Sequence, residues 1–127
     1  MKRLLSFILA FTLILGLVAC GKSAKLPDGF DQALYDYAEA AYELVHDYNL
    51  GKIDKAVARE RADTIMKNVD ALKVPKNNTN LSDDTFKLTY ETNQLTIAIQ
   101  LQAFCLNTAT GSSCVEVENS LKKLIEQ

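Results

Sequence analysis

Residues 82–106 read SDDTFKLTYETNQLTIAIQLQAFCL, and this stretch decides the fold. Ser82 is a residue type that caps helix amino termini. Asp83 and Asp84 follow it, where the positive end of the helix dipole favours acidic side chains. Apolar residues then continue at helical spacing to the end of the stretch. The sequence therefore predicts one long helix from Ser82 to about Leu106.

The apolar residues of this helix fall on two opposite sides. One stripe comprises Phe86, Tyr90, Ile97, Leu101 and Phe104, and the other comprises Leu88, Leu95, Ile99 and Leu106. A helix that is apolar on two sides has to be covered on two sides. The stretch therefore predicts a bundle in which this helix contacts more than one neighbour.

Two further helices are predicted upstream of the long one. The first runs from about Gly29 to Leu50, with apolar residues at three- and four-residue spacing on one face and acidic residues on the other. The second begins after the capping residue Asp54, and Pro75 ends it. Because the turn between them is short, the pair is predicted to form an antiparallel hairpin.

A short helix is predicted at the carboxyl end of the chain. Ser113 and Glu116 have the spacing of a capping box at its start. At a length of about 18 Å, this helix is predicted to cover Ile99 and Leu106 but not Leu88. Leu88 needs the first hairpin or another molecule to cover it. The predicted fold is all-α, a small bundle of three longer helices plus a short C-terminal helix.

The amino-terminal residues have the pattern of an export signal. Lys2 and Arg3 precede an uncharged apolar run over residues 4–18. At 1.5 Å per residue this run reaches only about 22 Å, short of the ~30 Å hydrocarbon core of a bilayer. The run therefore indicates a signal peptide rather than a retained membrane-spanning helix.

The signal ends in Leu17-Val18-Ala19-Cys20, which resembles the lipobox of bacterial lipoproteins. The resemblance covers the targeting segment alone. It implies that residues 1–19 are removed and that the sulfur of Cys20 receives a diacylglyceryl group, with a further acyl chain, such as palmitate, on the freed amine. It also implies a protein held on the extracytoplasmic side of a bacterial cell membrane. Residues 20–27 are then the lipidated cysteine and its tether, and residues 28–127 are the helical domain.

The remaining two cysteines are expected to pair. With Cys20 lipidated, Cys105 and Cys114 form an even pair in an oxidising location. A disulfide between them would close the loop CLNTATGSSC and stabilise the fold by about 2.5 to 3 kcal/mol in the chain-entropy model. We therefore predict one structural disulfide.

The sequence contains no pattern typical of catalysis, of a cofactor or of nucleic-acid binding. The net charge is −2 without a basic run, so the electrostatic signature of a nucleic-acid-binding protein is missing. Glu43 and His46 have the Glu-x-x-His spacing of di-iron bundles, but such a site needs a second motif, and the chain has one histidine. No serine lies in a nucleophile turn. We expect no catalytic, cofactor-binding or metal-binding residues.

Two surfaces are candidates for contact with a partner. Tyr35, Tyr42 and His46 flank the core face of the first predicted helix, and tyrosines at such a boundary suit a protein contact. They equally suit packing beneath the long loop or the last helix. Leu88 and Leu95 lie on the second stripe of the long helix, where they would suit a homodimer seam.

These features together predict a non-catalytic binding module anchored at the cell envelope. Its partner is expected to be an envelope or extracellular protein. Two alternatives stay open. The chain is then either a self-associating structural lipoprotein or a carrier of a small apolar or cell-wall ligand in the bundle core.

Overall fold

The computed structural model describes residues 26–127. This part of the chain forms four α-helices and contains no strand. The helices are α1 (Gln32–Asn49), α2 (Lys55–Ala71), α3 (Asp83–Thr110) and α4 (Val115–Ile125). The prediction of an all-α fold with three longer helices and a short C-terminal one is confirmed. The signal peptide, Cys20 and the tether up to residue 25 lie outside the described residues.

Side-chain caps fix where the first three helices begin. Asp31, Asp54 and Ser82 each accept a hydrogen bond from the backbone N–H three residues later, at 2.8, 2.9 and 3.2 Å. Such caps satisfy amide groups that have no partner within the helix. The caps predicted at Asp54 and Ser82 are confirmed. The first helix begins at Gln32 rather than near Gly29, because Asp31 is the residue that caps it.

The core lies where α1, α2 and α3 meet, and α4 packs mainly on α1. The first stripe of α3 is buried throughout, which confirms the core side of that helix. Fully buried alanines, Ala41 of α1 and Ala62 of α2, let the two helices of the hairpin approach closely. Tyr48 of α1 meets the edge of Phe104 with ring centroids 5.2 Å apart.

The predicted disulfide between Cys105 and Cys114 is wrong, since the structure has both as free thiols. Cys105 lies inside α3, which ends at Thr110, and it is near Arg59 and Asp63 of α2. Cys114 is buried at the start of α4. Burial raises the pKa of both thiols and so favours the protonated form.

Hydrogen bonds close the turn that the disulfide was predicted to close. Asn107 Nδ2 donates to the carbonyl oxygen of Ser113 at 2.9 Å, which ties the end of α3 to the start of α4. The predicted capping box of Ser113 and Glu116 is also wrong. Cys114 occupies the cap position without a side-chain cap, and Ser113 Oγ accepts from the Val115 N–H at 3.3 Å.

Candidate functional site

The second apolar stripe of α3 is exposed to solvent along its whole length. Leu88, Leu95, Ile99 and Leu106 are 67%, 60%, 49% and 64% exposed, respectively. We refer to these four residues as the α3 apolar face. Isolated exposed leucines are common on protein surfaces, whereas several exposed apolar residues on one side of a helix are typical of an interaction site.

The prediction that the last helix covers Ile99 and Leu106 is wrong. α4 packs more extensively against α1 than against α3. Polar contacts from α1 to Glu118 hold it there. Leu88 is covered neither by α4 nor by the α1–α2 hairpin. All four residues of the second stripe are therefore exposed, and residues 26–127 supply no helix that covers them.

The α3 apolar face is uncharged over most of its length. The charged residues of α3 are Asp83, Asp84, Lys87 and Glu91. After Glu91 the helix carries no charge, and the exposed polar residues between the four apolar ones are Thr92 and Gln102. From Leu88 to Leu106 the face extends about 27 Å along the helix axis.

His46 and Tyr42 belong to the contact between α1 and α4. His46 Nδ1 lies 2.6 Å from Glu118 Oε1, and Asn49 Nδ2 donates to Glu118 Oε2 at 2.6 Å. An ionised carboxylate only accepts hydrogen bonds, so the proton is on His46 Nδ1. Tyr42 stacks on His46 with ring centroids 5.6 Å apart. Packing against the last helix was one of the two interpretations that the sequence left open.

Tyr35 lies apart from that contact. Its ring packs edge-on against Phe30, with ring centroids 5.9 Å apart. Burial and the charges of two nearby acids raise the pKa of Tyr35. Glu43 is exposed, and no group of three or more potential metal ligands occurs within residues 26–127. Tyr42 and His46 therefore belong to the contact with α4, and Tyr35 contacts Phe30 instead.

We predict that Glu118→Gln weakens the contact between α1 and α4 in a pH-dependent way. Hydrogen bonds from Asn49 and His46 hold the pKa of Glu118 below its ordinary value of 4.5. A carboxyl group with a lowered pKa in the folded state stabilises the fold above pH 4.5, and this contribution is lost as the pH falls through the lowered value. At neutral pH the variant should lose about 1 kcal/mol of unfolding free energy.

The measurement is chemical unfolding of both proteins from pH 7 down to pH 3. The difference in unfolding free energy between wild type and Glu118→Gln should shrink as the pH falls. Glu116→Gln is the matched control, because Glu116 is exposed on the same helix. A pH-independent difference, or equal losses for the two variants, would contradict the role assigned to Glu118.

Two polar residues of α3 were missed by sequence reasoning, and both hold the backbone of other segments. Asn93 is 7% exposed, and its Nδ2 donates to the carbonyl oxygens of Asp28 and Gly29, both at 3.1 Å. Gln94 Nε2 donates to two carbonyl oxygens at the end of α2, at 2.6 and 3.0 Å. The signal in the sequence was a pair of amide side chains within a strongly apolar helix.

A groove of about 660 Å³ lies where the tether joins the domain. Its lining includes the apolar side chains of Leu26, Phe30 and Phe86 together with the carboxylate of Asp31. The buried hydroxyl of Tyr90 lies near Asp31. Burial and the nearby charge of Asp31 raise the pKa of Tyr90 to about 12.

Comparison with known proteins gives no relative for the chain. No protein-family model, no curated protein and no solved structure matches it. Within residues 26–127, none of the helices has the length and the apolar character that crossing a bilayer requires.

Proposed function

We propose that the protein is a bacterial lipoprotein, anchored through Cys20 on the extracytoplasmic side of the cell membrane. It acts as a non-catalytic module that binds another protein through the α3 apolar face. The observation that carries the proposal is this face, a row of four apolar side chains that no other helix among residues 26–127 covers.

The anchor is supported by the sequence of the first twenty residues and by the position where the domain begins. Five residues lie between Cys20 and Leu26, the first described residue, so six residue steps join the two. Fully extended, they span about 22 Å at most, so the domain stays near the membrane surface. The hydrogen bonds from Asn93 fix residues 28 and 29 to the middle of α3. The tether therefore enters the domain at a fixed position on α3.

A protein partner fits the α3 apolar face better than a lipid surface does. Helices that lie on membranes combine an apolar face with flanking Lys and Arg side chains. α3 has one basic residue, Lys87, and three acids. In addition, Asn93, which fixes the tether, lies roughly 140° around the helix from the centre of the face. Residues 28 and 29, which Asn93 holds, and the α3 apolar face are therefore on different sides of α3.

The test is chemical crosslinking in cells that produce the full-length protein. We expect the wild type to form a protein adduct, and the double variant Leu88→Asp plus Leu95→Asp to lose it. Leu50→Asp is the matched control, because Leu50 is 56% exposed but lies outside α3. It should crosslink as the wild type does. If the wild type yields no protein adduct, or if the double variant keeps it, the α3 apolar face is not a binding surface.

A further inference from the structure

We infer that the partner on the α3 apolar face is a second copy of the same chain, packed antiparallel along α3. This inference rests on the proposed function, because it identifies the partner of that binding surface. Three observations carry it. They are the spacing of the exposed residues, the distribution of charge along α3 and the size of the face.

The spacing of the exposed residues is that of a helix–helix seam. Six exposed residues of α3 are separated alternately by four and three residues. They lie at positions 88, 92, 95, 99, 102 and 106. This is the a and d pattern of a coiled-coil heptad. The pattern comprises four apolar residues and the polar pair Thr92 and Gln102. It therefore predicts pairing with another helix over the whole face.

The pattern is also symmetric about its centre. In a two-fold antiparallel pair, residue i of one copy meets residue j of the other, and residue j meets residue i. Pairing Leu95 with Ile99 of the second copy also brings Leu88 opposite Leu106 and Thr92 opposite Gln102. Every apolar residue then meets an apolar residue, and the two polar residues are placed to form a hydrogen bond. The face is self-complementary in this register.

The charges of α3 favour the antiparallel orientation over the parallel one. All four charged residues lie at or before Glu91, and three of them are acidic. A parallel pair would bring the two acidic ends together, and like charges in contact are unfavourable. In the antiparallel pair, each acidic end lies against an uncharged end. The opposed helix dipoles are compatible with the same arrangement.

The size of the face predicts a weak dimer that depends on the membrane. One helix seam buries less than the ~800 Å² per partner of a standard stable interface. Anchoring both copies to one bilayer raises their effective concentration and so favours a weak contact. A two-fold axis along the membrane normal keeps both tethers at the same height. We therefore expect dimers in the membrane.

The first test places a photoreactive amino acid at position 102 of the full-length protein in its own membrane. Gln102 is exposed within the seam, and its replacement leaves the four apolar residues in place. We expect an adduct with a second copy, mapped by fragmentation to the residues around Thr92. Co-expressing copies with two different affinity tags shows that the adduct joins two chains. The control places the same photoreactive amino acid at position 60, where Glu60 is exposed on α2. This control should give no such adduct.

Each other outcome of this test is decisive. An adduct around residue 102 of the second copy shows parallel pairing and overturns the antiparallel arrangement. An adduct with a different protein overturns the second-copy inference and leaves the proposed binding function intact. Absence of any protein adduct overturns both.

The second test uses charged variants of the same photoreactive protein. Leu95→Lys or Ile99→Glu alone places a charge opposite an apolar residue, and each should reduce the dimer adduct about tenfold or more. The variant with both changes should recover most of the adduct, because antiparallel pairing brings Lys opposite Glu twice. Parallel pairing would bring like charges together. If the variant with both changes does not recover the dimer adduct, the inference is contradicted. Leu50→Lys is the control and should crosslink as the wild type does.

Discussion

Replacing Gly29 by alanine is expected to lower the unfolding free energy by about 2 to 5 kcal/mol. Gly29 has φ of 75°, a conformation that costs a residue with a Cβ about 1 to 2 kcal/mol. A Cβ at this position would also lie 2.8 Å from Thr89 Cβ and 2.9 Å from Asn93 Nδ2. Relieving such overpacking costs about 1 to 3 kcal/mol more. The close approach exists because Asn93 holds the backbone of residues 28 and 29.

The matched control for this prediction is Gly51→Ala. Gly51 has nearly the same φ, 72°, but no atom lies within 4 Å of its added Cβ. This variant should therefore lose only the conformational part, about 1 to 2 kcal/mol. Chemical unfolding of the three proteins measures the difference. Equal losses for the two glycine variants would mean that residues 28 and 29 do not pack closely on α3.

Replacing Cys20 by alanine is expected to abolish both lipid attachment and the removal of residues 1–19, so the variant should keep the mass of the unprocessed chain. Each buried methylene of an acyl chain contributes about 0.8 kcal/mol, and stable anchoring takes two chains. Without the sulfur there is no site for the diacylglyceryl group, and the proposed lipoprotein processing cannot occur. Residues 26–127 offer no helix that could replace the anchor by crossing the bilayer.

The measurements for Cys20→Ala are the mass of the intact protein and its partitioning between membrane and soluble fractions after high-salt washes. Cys105→Ala is the matched control, because it removes a cysteine from the domain without touching the signal. It should remain with the membrane like the wild type. Removal of residues 1–19 from the Cys20→Ala variant, or membrane retention with the same mass as the wild type, would contradict the proposed anchor.

Much of the helical architecture could be predicted because its signals are local. The capping residues Asp54 and Ser82 predicted where two helices begin. Helical spacing distinguished the buried stripe of α3 from the exposed one. The end of α3 was placed too early. The residues after Leu106 are small and polar, which is typical of a loop. The helix nevertheless continues to Thr110, and Gly111, with φ of 74°, ends it.

The position of α4 could not be predicted, because distant residues decide it. His46 and Asn49 of α1 contact Glu118, more than sixty residues later in the chain. No spacing rule connects residues so far apart. The amphipathic pattern of α4 shows which of its sides is buried, but not which helix covers that side. The expected cover for Ile99 and Leu106 was wrong for this reason.

The candidate site was predictable in part. The two stripes of α3 identified all four residues of the α3 apolar face, including Leu88 and Leu95 as a seam. Their exposure depended on the placement of α4, which only the structure gives. The prediction of a disulfide was wrong because it rested on the number of cysteines and the expected location of the protein alone. Pairing also needs the two sulfur atoms to come within bonding distance, and the structure has both cysteines as free thiols.

The most direct measurement is the mass of the amino-terminal peptide of the protein isolated from its own bacterial membrane. We predict a peptide that begins at Cys20 and carries a diacylglyceryl group on the sulfur, with residues 1–19 removed. A peptide that retains Met1, or one that carries an unmodified Cys20 thiol, would contradict the proposal that this helical module works as a lipid-anchored protein.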